Sequence, residues 1–442
     1  MPSGSSVQPS TATSNCSVRV GSHTHSPTLR SAGNAVSMRY INCSVIGQRI
    51  EMNVKEDLVE ITAELVRGAV EIERTETGVR PHRLPAWARR QADAQLELAE
   101  AQPAGVRVAF RSAATRVTLV ARAERFGYVG VPLRAPGVFD VLVDGELVAS
   151  ASLSSAVQIL RDLTTGEITR SEAEPEELTF ELGVSGGVER LVEIWLPYSE
   201  SVELISIDAD EPLAPAHRPA PTWVHYGSSI SQGSNAASAA TIWTAVAARL
   251  GGVELTNLGF GGSALLDPFV ARTIRDLPAD LISVKVGINI VNADLMRRRA
   301  FAPALHGFLD VIRDGHPDTP LLLVTPLWSP IFEHTPGPGA FDPDALSRGE
   351  TRFVAAGDPA EVRSGKLDLA TIRADIDRVV HDRSASDPNL FQLDGMALYG
   401  ASDAQSHPLP DDLHPDAATH RLLGERFAEE VFGVEGAIPT TK

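Results

Sequence analysis

Residues 224–233 read VHYGSSISQG, an apolar run that passes into glycine and serine and ends on a second glycine. The apolar residues predict a buried strand, and the small polar residues after Gly227 predict a tight turn into a helix. At that place Ser229 can offer both its hydroxyl and its backbone N–H to a reacting carbonyl group. The stretch alone does not decide the function, because glycine and serine after a strand are also ordinary turn and helix-cap residues.

The same alternation continues downstream, where apolar runs typical of buried strands alternate with segments long enough for helices. We therefore predict a three-layer α/β/α domain with a parallel, flavodoxin-like sheet over residues 223–434. Its active site should lie at the carboxyl ends of the strands. Predicted strands lie near Trp223, Val253, Leu281, Leu321 and Leu390, and predicted helices span residues 236–250, 266–277, 293–313 and 366–382.

Three more segments follow predicted strands with residues suited to acyl transfer. The loop TNLGFGGSA, residues 256–264, is rich in glycine, so a backbone N–H can approach an oxyanion closely. Asn289 follows the third strand, where its amide can donate to the same oxygen. Near the end of the chain, Asp411 can orient one nitrogen of His414 and leave the other as a general base.

Other histidines fit the role of base less well. His225 lies inside a predicted buried strand, where a packed or hydrogen-bonded core residue is expected, and His407 has no carboxylate three residues before it. Histidines of the N-terminal part show no spacing with Asp, Glu or Cys that is typical of a metal site; these are His23, His25 and His82. We therefore expect neither a metal nor a cofactor.

The N-terminal half has a different pattern. Residues 51–210 form short Val, Leu and Phe-rich runs with period-two alternation, such as GVRVAFRSAATRVTLVARAE, which predicts a jelly-roll-like, antiparallel β-sandwich. A mixed α+β domain is the alternative. Residues 211–222 are dense in proline and predict an extended linker. Residues 1–50 and 435–442 are interpreted as a disordered or poorly ordered leader and a tail, and Met38 is an alternative start.

Composition excludes several classes of partner. The 442 residues carry a formal charge of −18, with 43% hydrophobic and 22% charged residues. An acidic, ordinarily hydrophobic chain of this kind is unsuited to nucleic acid or anionic membranes, which bind clustered Lys and Arg. The two cysteines, Cys16 and Cys43, precede every predicted core segment, so we expect a reducing, cytoplasmic location. The oligomeric state stays open.

These segments together resemble the SGNH (GDSL-like) hydrolase superfamily, whose blocks supply a serine, a glycine, an asparagine and a histidine. Gly227–Ile230 is similar to the Gly-Asp-Ser block, with Ser228 in place of the aspartate. The resemblance implies Ser229 as nucleophile, and His414, oriented by Asp411, as base. It also implies an oxyanion hole made by the N–H groups of Ser229 and Gly262 and the side chain of Asn289, with Gly259 and Gly261 as alternatives to Gly262.

A looser resemblance concerns the segment RLPAWARRQ, residues 83–91, which we predict to be a loop, and the β-rich stretch around it. It is similar to enzymes grouped with tetracycline-type polyketide O-acyltransferases. We predict that Trp87 packs near the mouth of the Ser229 pocket and contacts substrate, with a place in the sandwich core as the alternative. Trp328 is a second candidate for an acyl pocket.

Three functions are compatible with the sequence. Hydrolysis of a small-molecule carboxylic ester is the first, O-acyl transfer to a hydroxyl of a natural product is the second, and a binding protein that keeps the fold without catalysis is the third. The presence of all four chemical groups disfavours the third. The sequence does not identify the acyl group or an acceptor alcohol, because pocket shape sets specificity.

Overall fold

The computed structural model describes residues 60–130, 133–162, 164–184, 186–216 and 220–433. The predicted leader and tail, and both cysteines, lie outside these residues. Among the helices described, none combines the length and the apolar character needed to cross a membrane.

Short strands dominate the N-terminal half, and strands alternate with helices in the C-terminal half. In chain order, the strands are β1 Val66–Arg67, β2 Glu71–Arg74, β3 Val79–His82, β4 Arg107–Ser112, β5 Arg116–Tyr128, β6 Phe139–Val143, β7 Glu146–Ala151, β8 Val157–Arg161, β9 Ile168–Arg170, β10 Glu176–Glu181, β11 Arg190–Trp195, β12 Ser201–Ala209, β13 Ala214–Pro215, β14 Thr222–Gly227, β15 Glu254–Gly259, β16 Leu281–Lys285, β17 Leu321–Val324, β18 Gly339–Phe341, β19 Phe353–Ala355 and β20 Leu390–Leu393. The α-helices are α1 Ala86–Arg89, α2 Ala94–Ala101, α3 Ser229–Gln232, α4 Trp243–Gly251, α5 Pro268–Asp276, α6 Ile288–Asn292, α7 Arg298–Gly315, α8 Pro343–Ser347, α9 Leu369–Arg383, α10 Gly395–Leu398 and α11 Ala417–Phe432.

The C-terminal half contains a five-stranded sheet in the order β15-β14-β16-β17-β20, in which every neighbouring pair is parallel. In chain order this is 2-1-3-4-5, the flavodoxin-like arrangement. All five predicted strands are present. The predicted three-layer α/β/α fold is confirmed, and the carboxyl ends of β14, β15 and β16 meet at one edge of the sheet.

Alternate side chains of the strands enter two separate cores, because successive residues of a strand point to opposite faces. On one face Val224 and Tyr226 pack with apolar residues of α5, α7 and α9. On the other face Trp223 packs with α4 and α11, including Phe427, whose ring stacks on the indole at 5.0 Å. Both faces of the sheet are therefore covered by helices.

The N-terminal half contains two larger sheets. One has the order β1-β4-β11-β6-β7 and the other β2-β3-β12-β5-β8-β9, with β13 and β10 added to β4 and β5. The described pairings are antiparallel except the parallel pair β5/β8. Apolar residues of both sheets, such as Phe110 and Leu119, share one core. The predicted β-sandwich is confirmed.

Residues 83–91 differ from the predicted loop, because they contain α1 and are followed by α2. Asp93 caps α2 by accepting a hydrogen bond from the N–H of Leu96 at 2.9 Å, an N-cap that favours helix at this point. Apolar residues of this segment, among them Leu84 and Leu96, are buried with α5 and α7 rather than in the sandwich core. Two short helices thus cross from the β-rich half into the α/β core.

The proline-rich stretch 211–222 is partly incorporated into sheets. Ala214–Pro215 forms β13 against β4, and Thr222 already begins β14. The boundaries proposed for the domains and for the linker stay predictions, since the described residues all belong to one compact unit.

Candidate active site

Strand β14 ends two residues before Ser229 and so places this serine at the carboxyl ends of the parallel strands. Strand β14 ends at Gly227, where a Cβ would collide with the hydroxyl of Ser231, so only glycine fits this turn. Ser228 follows as the N-cap residue of α3, and Ser229 is the first residue of that helix. Ser229 is half-buried, while Ser228 and Ser231 are buried.

Three side chains form a continuous hydrogen-bonded line at this edge. The Oγ of Ser229 lies 2.9 Å from Nε2 of His414. The other ring nitrogen, Nδ1, lies 2.8 Å from Oδ2 of Asp411. An Nδ1–H that donates to the carboxylate leaves Nε2 with a lone pair for the serine hydroxyl. The structure brings together the three residues that the sequence assigned to nucleophile, base and orienting acid.

Backbone and side-chain groups hold Asp411 in its charged form. Its Oδ1 accepts hydrogen bonds from the N–H groups of Leu413 at 3.0 Å and His414 at 2.6 Å, and Asn235 donates to Oδ2 at 3.2 Å. Burial favours the neutral acid, but the hydrogen bonds and the charge of His414 outweigh it, so the pKa of Asp411 lies below its ordinary value. A carboxylate that stays ionised can stabilise an imidazolium.

The loop after β15 lies beside Ser229, and the helix after β16 contacts this loop through Asn289. A Cβ added at Gly261 would lie 3.7 Å from the Cβ of Ser229, and Gly262 has a φ of +76°, which strains any other residue. Buried Asn289 accepts a hydrogen bond from the N–H of Ala264 through Oδ1, at 3.1 Å. Because Oδ1 is the acceptor, the Nδ2 group is the end of the amide that can donate to an oxyanion.

The competing histidines lie elsewhere. His225 is fully buried between the hydroxyls of Ser283 and Ser231, at 2.7 and 2.8 Å, and burial lowers its pKa well below the ordinary value. It is the hydrogen-bonded core residue that its strand position predicts. His407 lies in the loop before Asp411, where its carbonyl accepts a hydrogen bond from Tyr399 at 2.7 Å. In the described ranges, no group of three or more His, Cys, Asp or Glu residues is arranged to hold a metal ion.

Trp87 packs against the α/β core rather than the sandwich core. It is half-buried, and the guanidinium carbon of Arg272 on α5 lies 5.0 Å from the centre of its ring. The sandwich-core alternative is therefore not the observed packing. Contact of Trp87 with substrate stays a prediction.

Sequence reasoning missed Gln95. Its Nε2 donates to the carbonyl of Gly261 at 2.9 Å, so α2 of the β-rich half reaches the loop that carries Gly262. No motif marks this glutamine, and its partner is 166 positions away in the sequence.

A narrow cavity of about 20 Å³ is lined by residues adjacent in sequence to Ser229 and His414, with room for about one water molecule. Trp328 lines it, together with Ile230 and Leu413, the chain neighbours of Ser229 and His414. Lys285 lines it too, and burial lowers the pKa of this lysine to about 8. The signal in the sequence that could have identified this buried cation is a lysine at the end of a strand whose other residues are apolar except for Ser283.

Two family models match the chain. Residues 221–329 match the GDSL-like Lipase/Acylhydrolase family, and residues 65–204 match the N-terminal domain of SsfX3. A search of curated proteins found no match.

Solved structures with a similar fold include three that cover most of the chain. The salicylyl-acyltransferase SsfX3 from a tetracycline biosynthetic pathway is 29% identical over 85% of this chain and 94% of its own, with a TM-score of 0.66. A GDSL-like lipase from Bacteroides ovatus is 16% identical over 82% and 93%, with a TM-score of 0.58. A family two carbohydrate esterase from Clostridium thermocellum is 16% identical over 74% and 91%, with a TM-score of 0.50.

The likeness to the latter two concerns the fold alone, whereas both family models and the first structure agree on the same two-part organisation. The chain is therefore an enzyme that contains a domain similar to the GDSL-like lipase/acylhydrolase family, preceded by a domain similar to the N-terminal domain of SsfX3.

Proposed function

We propose that this enzyme is a serine esterase that cleaves carboxylic esters through an acyl-enzyme on Ser229. The observation that carries the proposal is the hydrogen-bonded line from the Oγ of Ser229 through His414 to Asp411. Nucleophile, base and orienting acid in this geometry are the elements of acyl transfer by serine.

In the first half of the reaction, Nε2 of His414 takes the hydroxyl proton as the Oγ of Ser229 attacks the ester carbonyl carbon. The carbonyl oxygen becomes an oxyanion in a tetrahedral intermediate. When the intermediate collapses, the C–O bond to the alcohol breaks, and His414 gives its proton to the leaving oxygen. The acyl group is then bound to Ser229 as an ester.

In the second half, His414 takes a proton from water, which attacks the acyl-enzyme. The C–O bond to Ser229 breaks, the serine recovers its proton from His414, and a carboxylic acid is released. Asp411 remains ionised throughout, consistent with its lowered pKa, and stabilises the positive charge that His414 carries in each half.

The oxyanion would be held by the backbone N–H groups of Ser229 and Gly262 and by Nδ2 of Asn289. The amide orientation imposed by Ala264 supports the last of these. Donors that are fixed before the reaction cost no reorganisation when charge develops. These chain residues supply every group that the scheme uses, so the scheme needs no cofactor.

O-acyl transfer to an alcohol is the second candidate, and the likeness to SsfX3 favours it. That likeness, at 29% identity, includes the N-terminal domain as well as the catalytic fold. The two functions share the acyl-enzyme and differ only in whether water or a hydroxyl of a small molecule attacks it. An aromatic polyketide hydroxyl is the acceptor class that this candidate implies.

A burst experiment with p-nitrophenyl acetate tests the acyl-enzyme. We expect one equivalent of p-nitrophenol per chain in a rapid phase, lost in Ser229→Ala and kept in Ser234→Ala, a half-buried serine of the same turn. Adding a phenolic alcohol then separates the two candidates. Formation of its acetyl ester at the expense of acetate indicates transfer. Wild-type turnover by Ser229→Ala would move the nucleophile to another residue, Ser231 first.

A further inference from the structure

The two peptide groups on either side of the Gly261 Cα are held by glutamines from two regions. The N–H of Gly261 donates to Oε1 of Gln232 at 2.7 Å. The carbonyl of Gly261 accepts a hydrogen bond from Nε2 of Gln95 at 2.9 Å. Gln232 closes the short helix that begins at Ser229, whereas Gln95 belongs to α2 in the segment matched by the SsfX3 N-terminal domain.

The carbonyl that Gln95 contacts shares its peptide plane with the N–H of Gly262. A peptide group is planar, so fixing the direction of the C=O fixes the direction of the N–H on its other side. Donation to the carbonyl oxygen also polarises the peptide and strengthens its N–H as a donor. A hydrogen bond at Gly261 therefore acts on the proposed oxyanion donor at Gly262.

The partner glutamine is itself anchored in the β-rich half. Nε2 of Gln232 donates to Oε1 of Gln102 and to the carbonyl of Tyr198, and Nε2 of Gln102 donates to the carbonyl of Ser199 at 3.1 Å. A chain of amide groups thus links the residues just before β12 to the glycine loop. Both contacts on Gly261 depend on how the β-rich half packs.

We propose that Gln95 is a positioning residue of the oxyanion hole, through which the N-terminal domain sets the direction of the Gly262 N–H. The inference deepens the proposed function and rests on it. It assigns the β-rich domain a part in the chemical step, in addition to any part in substrate binding.

Because the Gln95 side chain is exposed, an experiment can distinguish a positioning role in the oxyanion hole from a purely structural role. The hydrogen bond of this exposed side chain adds little to the free energy of unfolding. Gln91 provides a matched comparison on the same segment. It is also exposed, and its Oε1 accepts a hydrogen bond from Arg272 on α5 at 3.0 Å, a contact between the same two regions that does not involve the glycine loop.

The test compares Gln95→Met and Gln91→Met with p-nitrophenyl acetate as substrate and a trifluoromethyl methyl ketone as probe. The ketone forms a hemiketal with serine, and its oxyanion requires the same donors. We expect Gln95→Met to lower kcat by about 10-fold, less than loss of a direct donor, with little change in KM. Affinity for the ketone should fall by a similar factor. Gln91→Met should match the wild type in both.

Wild-type kcat in Gln95→Met would overturn the inference, and so would a loss confined to KM or one that Gln91→Met shares. Ser229→Ala is measured in parallel. If it retains wild-type turnover, the proposed function itself fails. If it is inactive while Gln95→Met is unaffected, only the inference about Gln95 fails.

Discussion

The carboxyl edge of the parallel sheet and the segment of residues 83–101 reach the same glycine loop by different routes. At the sheet edge, consecutive strands end side by side, so residues far apart in the sequence meet because of topology. The segment from the β-rich half arrives through packing of Leu84 and Leu96 against helices of the other region. The first route leaves a repeated pattern in the sequence, and the second leaves none.

The two regions also differ in the kind of hydrogen bond that holds them. At the sheet edge, polar side chains contact each other, as in the line from Ser229 to Asp411. In the segment, the buried side chain of Arg83 donates to the backbone carbonyls of Ala99, Asn257 and Gly259. It therefore links the backbone of α2 to the backbone of β15. We infer that substitutions at the edge change the chemistry and that substitutions at Arg83 change stability.

The largest effect should come from the base. We expect His414→Ala to lower the rate of acyl-enzyme formation by about 10³-fold or more, because members of a triad act as a unit. Rapid-mixing measurement of p-nitrophenol release checks this. His407→Ala is the control, since the hydrogen bond that His407 accepts uses its backbone carbonyl, which the substitution keeps. Equal losses in both variants would contradict the assignment of the base.

Asn289→Ala should lower kcat by about 10²-fold with little change in KM, as expected when one donor to a developing oxyanion is removed. Steady-state kinetics with p-nitrophenyl acetate measures both constants. A change confined to KM would instead make Asn289 a residue that binds the ground state of the substrate.

Arg83→Met should lower the free energy of unfolding by about 3 kcal/mol, because it leaves buried backbone carbonyls without donors. Denaturant unfolding measures the change. Arg90→Met, at an exposed position of the same segment, should leave the free energy of unfolding nearly unchanged. If the two variants are equally stable, Arg83 does not join the two regions in the way described.

The smallest effect concerns Lys285, which lies at the sheet edge without a part in the proposed chemistry. Its pKa falls from 10.5 to about 8 on burial, so between these values the unfolded chain binds a proton that the folded chain has lost. The free energy of unfolding should therefore gain a component that rises with pH across this window. Lys285→Met should remove that component, as seen in unfolding at several pH values. An unchanged slope would contradict it.

The sequence predicted which segments follow the carboxyl ends of the parallel strands, because an apolar run followed by glycine and a polar residue is visible at Ser229 and again near Asn289. It did not predict Gln95 or Arg83, because ordinary glutamines and arginines become informative only when packing shows what they contact. It also assigned residues 83–91 to a loop, since helices as short as α1 have too few residues to show a period.

Locating the acetyl group after reaction with p-nitrophenyl acetate tests the central claim most directly. The enzyme is quenched within the burst, digested, and its peptides are analysed by mass spectrometry. We expect acetylation at Ser229 in the wild type and its loss in His414→Ala. Acetylation at Ser231 or at the amine of Lys285, with Ser229 unmodified, would contradict the account.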